Sequence, residues 1–177
     1  MKISRFNDGL QLFASVGVLA GLMLVAFEIR QNNDLAEADS VRAMLVGWQQ
    51  IAMSEYETDI TTLYIKSLEE PENLTPSEIG KMSAWLTTVM NQYMLTFAMY
   101  EQGLGYSSGG VDYDPMNELA MGFDYYFGSR FGRSWYLENR EWIDAQIVEV
   151  MDREMESRPV AAGSIYVERI KSRLSDD

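Results

Sequence analysis

Hydrophobic positions along this chain fall into one unbroken block followed by a series of periodic stripes. The block is GLQLFASVGVLAGLMLVAF, residues 9–27, nineteen positions without a charge between Asp8 and Glu28. As a helix rising about 1.5 Å per residue it spans about 28 Å, the thickness of a bilayer's hydrocarbon core. Gln11 and Ser15 are its only clearly polar side chains, so it lacks the polar stripe of a core helix this long. A cleaved export signal has a shorter apolar region with a small-residue site close behind it. Here the nearest A-x-A is Ala36-Glu37-Ala38, beyond Glu28, Arg30 and Asp34. The pattern predicts an uncleaved signal anchor: a tail over 1–8 and a single transmembrane helix over 9–30.

The stripes that follow have helical spacing. Leu35, Ala38, Val41, Leu45, Trp48 and Ala52 recur at three and four, with Asn32 to Asp34 offering an N-cap or a polar exit from the membrane. Ile60, Leu63, Tyr64 and Leu68 predict a short helix, and Glu69 to Asn73, with Pro71, a loop. Thr75 before Pro76, with Glu78 three residues on, is a capping box with proline at the first helical position. The stripe behind it is Ile79, Met82, Leu86, Val89, Tyr93, Phe97 and Tyr100. Trp85, Met90 and Met94 add apolar surface outside that stripe, which makes this helix central. Gly103 or Gly105 ends it. A Gly- and Ser-rich connection, GLGYSSGGVDYDP, leads to a helix started by Asp114 and Pro115, with Met116, Leu119, Phe123 and Tyr126 inward.

The chain is expected to turn at 128–134, to hold one or two more helices over 135–155, and to end in a tail over 159–177. Ser164 would cap a short helix there, bearing Val167, Ile170 and Leu174. No stretch alternates at period two. The class is all-α: one N-terminal transmembrane helix and a small irregular helical bundle, the acidic domain of residues 31–158.

Charge changes the picture of partners. The chain has 27 Asp and Glu against 14 Lys and Arg, a net charge of −13. Such a surface repels phosphate backbones, so nucleic acid is not an expected partner. Lys2, Arg5 and the α-amine precede the apolar block, while Arg30 and Arg42 follow it closely. By a margin of one charge the positive-inside rule places the N-terminus inside and the helical domain outside.

The chain contains no cysteine and no histidine. That removes disulfides, thiolate and imidazole metal sites, Ser-His-Asp and Cys-His catalysis, and the Glu-x-x-His pairs of di-iron bundles. No catalytic residue, cofactor ligand or metal ligand is assigned. Asp112, Asp114, Asn117 and Glu118 could hold a hard cation, but Met116 breaks the EF-hand spacing, and a turn with a helix cap is the favoured reading. Met82, Met90, Met94 and Met99 could present thioethers to Cu(I), yet methionine is ordinary core filler.

Two candidate contact regions remain. Gly17 and Gly21 form a G-x-x-x-G on the apolar block, where a second copy could pack to give a homodimer; the alternative is glycine that merely faces lipid. Residues 103–142 join the Gly-rich connection to an aromatic run interleaved with arginines. Tyr106, Tyr113, Arg130, Arg133, Trp135 and Tyr136 are its candidate contacts to a membrane-proximal protein, the side-chain types that dominate protein interfaces. Packing of these aromatics in the core is the competing reading.

The segments FEIRQNN, LTPSE, SAWLTTVMNQY, YEQGL and WYLENREW, in that order after an apolar span, resemble a family of small membrane-anchored helical proteins found across bacteria. The resemblance covers most of the chain. It implies an anchor and a helical domain, and it carries over no activity and no functional residues; the expected protein is single-pass in the inner membrane. The expected function is a non-enzymatic interaction or accessory module at the bilayer. A ligand-sensing bundle and a carboxylate-dependent hydrolase are the alternatives.

Overall fold

A computed structural model describes residues 2–57, 59–104, 107–108, 111–112, 114–160 and 172–174. The fold is all-α. Helix α1 (Lys2–Glu57) is followed by α2 (Ile60–Glu69), a 3₁₀ turn at Pro71–Asn73, α3 (Pro76–Glu101), α4 (Pro115–Tyr126), α5 (Arg130–Asn139), a second 3₁₀ turn at Arg140–Trp142, and α6 (Ala145–Ser157). Between α3 and α4 lies a two-residue antiparallel ladder of β1 (Ser107–Ser108) and β2 (Val111–Asp112). That ladder lies within the Gly- and Ser-rich connection. Of the terminal helix expected around Ser164, Val167 and Ile170, those three residues lie outside the described ones, while Ser172 to Leu174 are helical and exposed.

The chain divides into two compact units, Met1–Ser40 and Val41–Asp177. The first unit is helical from Lys2. It carries the apolar block, which is long and apolar enough to cross a membrane and buries none of its hydrophobic window in protein. Of the two readings of Asn32 to Asp34, the N-cap does not form. Neither proline nor glycine interrupts residues 22–46, and α1 runs through without a cap.

The second unit is the bundle. Its first segment is the end of α1, where Met44 and Ile51 are buried and Trp48 is partly buried. The expected stripe was misphased: Leu35 and Leu45 are exposed, and the inward face is Val41, Met44, Trp48, Ile51 and Glu55. Helix α2 buries Ile60, Leu63, Tyr64 and Leu68, as the spacing predicts. Helix α3 is central. It packs against α2, α4 and α5 and buries Met82, Trp85, Leu86, Val89, Met90, Tyr93 and Phe97.

Both ends of α3 follow local chemistry. Thr75 Oγ1 accepts from the Glu78 N–H at 3.3 Å, and Glu78 accepts from the Thr75 N–H at 2.7 Å, closing the capping box. At the far end Gly103 adopts φ +72°, a left-handed conformation that costs glycine little. The Gly103 N–H donates to Tyr100 O and the Leu104 N–H to Met99 O, the paired bonds of a Schellman motif. Asp114 caps α4, its Oδ1 accepting from the Met116 N–H at 2.9 Å. Ser129 caps α5 where a turn was expected, accepting from the Gly132 N–H at 2.9 Å. Helix α6 packs on α4, and Phe123, Phe127, Tyr136, Ile147 and Met151 close the core between α4, α5 and α6.

Candidate functional site

An open groove of about 500 Å³ lies where the end of α1, the start of α2 and the first half of α3 meet. Helix α1 contributes Gly47, Gln50, Ile51 and Ser54, and α3 contributes Lys81, Ala84, Trp85, Thr88 and Gln92. Each set follows three-and-four spacing, one helical face turned to the same space. Asp59, at the N-cap of α2, closes the end with Ile60 and Leu63. The floor is apolar: Ile51, Ile60, Leu63 and Trp85 are all at least nine-tenths buried. The rim is polar, with Gln50, Asp59, Lys81 and Thr88 exposed.

Gly47 sets the width of the groove at its α1–α3 edge. A Cβ on Gly47 would lie 2.1 Å from Gln92 Oε1. The missing side chain lets the Gln92 amide lie against α1, where its Nε2 donates to Met44 O at 3.1 Å. Gln92 is buried, so this bond satisfies a group that would otherwise be costly to hide. Trp85 differs. Its indole is 6 % exposed, and its Nε1–H is the one buried side-chain polar atom with no hydrogen-bond partner among the described residues.

Behind Trp85 lies a small cavity of about 20 Å³, lined also by Glu55, Ile60, Thr61, Tyr64 and Tyr125. Tyr125 Oη donates to Glu55 Oε2 at 3.2 Å, and Tyr64 Oη donates to Tyr125 O at 2.5 Å. Burial pushes the Glu55 carboxyl above the usual range, partly opposed by the Tyr125 hydrogen bond. Burial, and then the nearby Glu55 charge, pushes the Tyr125 phenol up, and the same two causes bring Tyr126 to about 12. The tyrosines therefore stay neutral, and the cluster is a hydrogen-bonded wall with one carboxylate. Paired carboxylates for acid–base hydrolysis do not converge on the groove: of its lining residues only Asp59 is acidic.

The residues singled out in the sequence are dispersed. Gly17 and Gly21 lie on the exposed apolar helix, with nothing within 4 Å of a Cβ at either position. Tyr106 and Tyr113 lie outside the described residues. Arg130 is exposed and stands 3.8 Å from Glu72. Arg133 closes the end of α6: its guanidinium donates to the carbonyls of Gly128, Met155, Arg158 and Pro159 at 2.8–3.1 Å and lies 5.6 Å over the Phe123 ring. Trp135 and Tyr136 correct the expectation of a contact surface. They are 5 % and 0 % exposed, because α5 packs on α2 and α3 and Trp135 stacks on Phe127, just past the end of α4. The Tyr136 Oη donates to Asp152, which also pairs with Arg140. Asp114 is a helix cap, as favoured, and among the described residues no three carboxylates gather as a cation cage.

Sequence reasoning passed over the groove residues Gln50, Asp59, Lys81 and Gln92. The available signal was Trp85, an indole off the main stripe of a central helix, with Lys81 and Thr88 on its face. No protein-family model matches the chain, and comparisons with curated proteins and with solved structures gave no match.

Proposed function

We propose that this protein is a membrane-tethered, non-catalytic binding module whose α1–α2–α3 groove takes a small amphipathic ligand. The groove carries the reading. Its volume falls within the roughly 300–1,000 Å³ of sites for drug-sized molecules, and its apolar floor with a few polar groups at the rim is the usual composition of such sites. This favours the ligand-sensing alternative over the protein-contact module, whose aromatic anchors Trp135 and Tyr136 lie in the core. The proposal includes anchoring through residues 9–30 in a bacterial inner membrane, with the N-terminus inside and the bundle outside.

The test uses full-length protein in micelles and the fluorescent probe 8-anilinonaphthalene-1-sulfonate. Wild type and an Ala84→Trp variant, which fills the groove from its exposed wall, are titrated in matched micelles. The expected result is a saturable 1:1 component in wild type that the variant lacks. Identical curves from two folded proteins would refute the groove as a site.

A further inference from the structure

The charges at the rim of the groove define its ligand more closely. In a chain with nearly twice as many acids as bases, basic side chains should find carboxylates easily. Within residues 41–160, Lys66, Arg130, Arg140, Arg153 and Arg158 do so, and Arg133 is taken up by carbonyls. Lys81 and Arg42 are the exceptions among the described residues, and Lys81 faces the groove. Asp59 faces it too. Its carboxylate makes no capping bond to α2 and has no partner among the described residues. The two opposite charges share one cavity without pairing with each other. The apolar floor of Ile51, Ile60 and Leu63 lines the same groove.

We infer that the groove binds a zwitterion with an apolar body, of the class of a hydrophobic dipeptide: a carboxylate at Lys81, an ammonium at Asp59, and apolar side chains on Ile51, Ile60 and Leu63. This inference rests on the groove being a binding site. Each polar element answers a group the protein leaves unmatched. A ligand lacking one charge makes only one of the two ion pairs that the groove offers, and specificity is the difference between the two affinities. An anionic lipid or fatty acid would satisfy Lys81 but set its own charge against Asp59. A cationic amphiphile would do the reverse.

The experiment displaces 8-anilinonaphthalene-1-sulfonate from the full-length protein with three probes: leucyl-phenylalanine, its N-acetyl form and its C-terminal amide. The expected order puts the free dipeptide about tenfold ahead of either blocked form, a size suited to a partly buried charge-assisted contact. Lys81→Met should bring the free dipeptide to the level of the amide and leave the amide unchanged. Asp59→Asn should likewise erase the difference between the free and N-acetyl forms. If the dye saturates the groove but no peptide displaces it, or the blocked forms compete as well as the free one, the zwitterion is wrong while the groove stands. If the dye finds no groove site at all, both fall together. Both substituted residues are exposed, and retained helicity and melting confirm that each variant folds.

Discussion

Gly80 and Gly132 are both helical glycines, and the space around them gives opposite expectations. Nothing lies within 4 Å of a Cβ on Gly80, so Gly80→Ala only removes backbone freedom from the unfolded chain. It should stabilise the bundle by about 0.5–1 kcal/mol. A Cβ on Gly132 would meet Phe127 Cα at 2.7 Å and Tyr126 O at 2.8 Å. Those are backbone atoms, which cannot swing aside, and Gly132→Ala should cost about 1–3 kcal/mol. Urea melts of the two variants check both signs, and an unchanged midpoint in Gly132→Ala would contradict the close approach of α5 to the end of α4. The sequence does not distinguish these glycines, because the atoms that crowd Gly132 belong to another helix. The same holds for Gly47, whose meaning depends on Gln92, 45 positions further along the chain.

At the scale of the element, the parts legible in the sequence are those whose signals are local. The capping box at Thr75, the Asp114 cap, the end at Gly103 and the α2 stripe each rest on signals spanning no more than about two turns, and all four form. The phase of α1 was not legible, since its exposed face carries Leu35, Leu45, Val46 and Met53 beside the buried Met44 and Ile51. Apolar residues on both faces blur the period, and contact with α3 and α4 selects one. The α3 cap also makes a pH prediction. Lys66 Nζ lies 2.9 and 2.8 Å from the two Glu78 oxygens, and these bonds, with those at Thr75, hold the Glu78 carboxyl down at about 2. The folded value is below the unfolded one, so the unfolded chain binds more protons between about 2 and 4.5. The contribution is complete above that window and disappears as pH falls through it. Glu78→Gln should therefore lower Tm relative to wild type at pH 7, and the gap should close by about pH 2. A gap independent of pH would mean that Glu78 acts through packing alone.

For the whole molecule, the division into an apolar helix and a helical bundle was readable from where charges stop and start, whereas the groove was not. Its walls come from three helices, and a cavity is a property of their crossing rather than of any one pattern. The anchor reading makes a direct prediction. Residues 34–40, with the A-x-A at Ala36 to Ala38, are helical in the structure, a poor substrate for processing. After carbonate washing of membranes the protein should remain in the pellet, with an N-terminus that precedes residue 9. A soluble product beginning near Asp39 would overturn the anchor. Met53 and Met121 are exposed, while Met82, Met90 and Met151 are sealed in the core at 1 % exposure or less. Peroxide reaches a thioether only where solvent does, and the sulfoxide it leaves is polar. Sulfoxide at Met53 and Met121 thus marks encounter with an oxidant, and sulfoxide at Met90 marks that the bundle has opened. One chain keeps both a dosimeter of its surroundings and a chemical memory of its own unfolding.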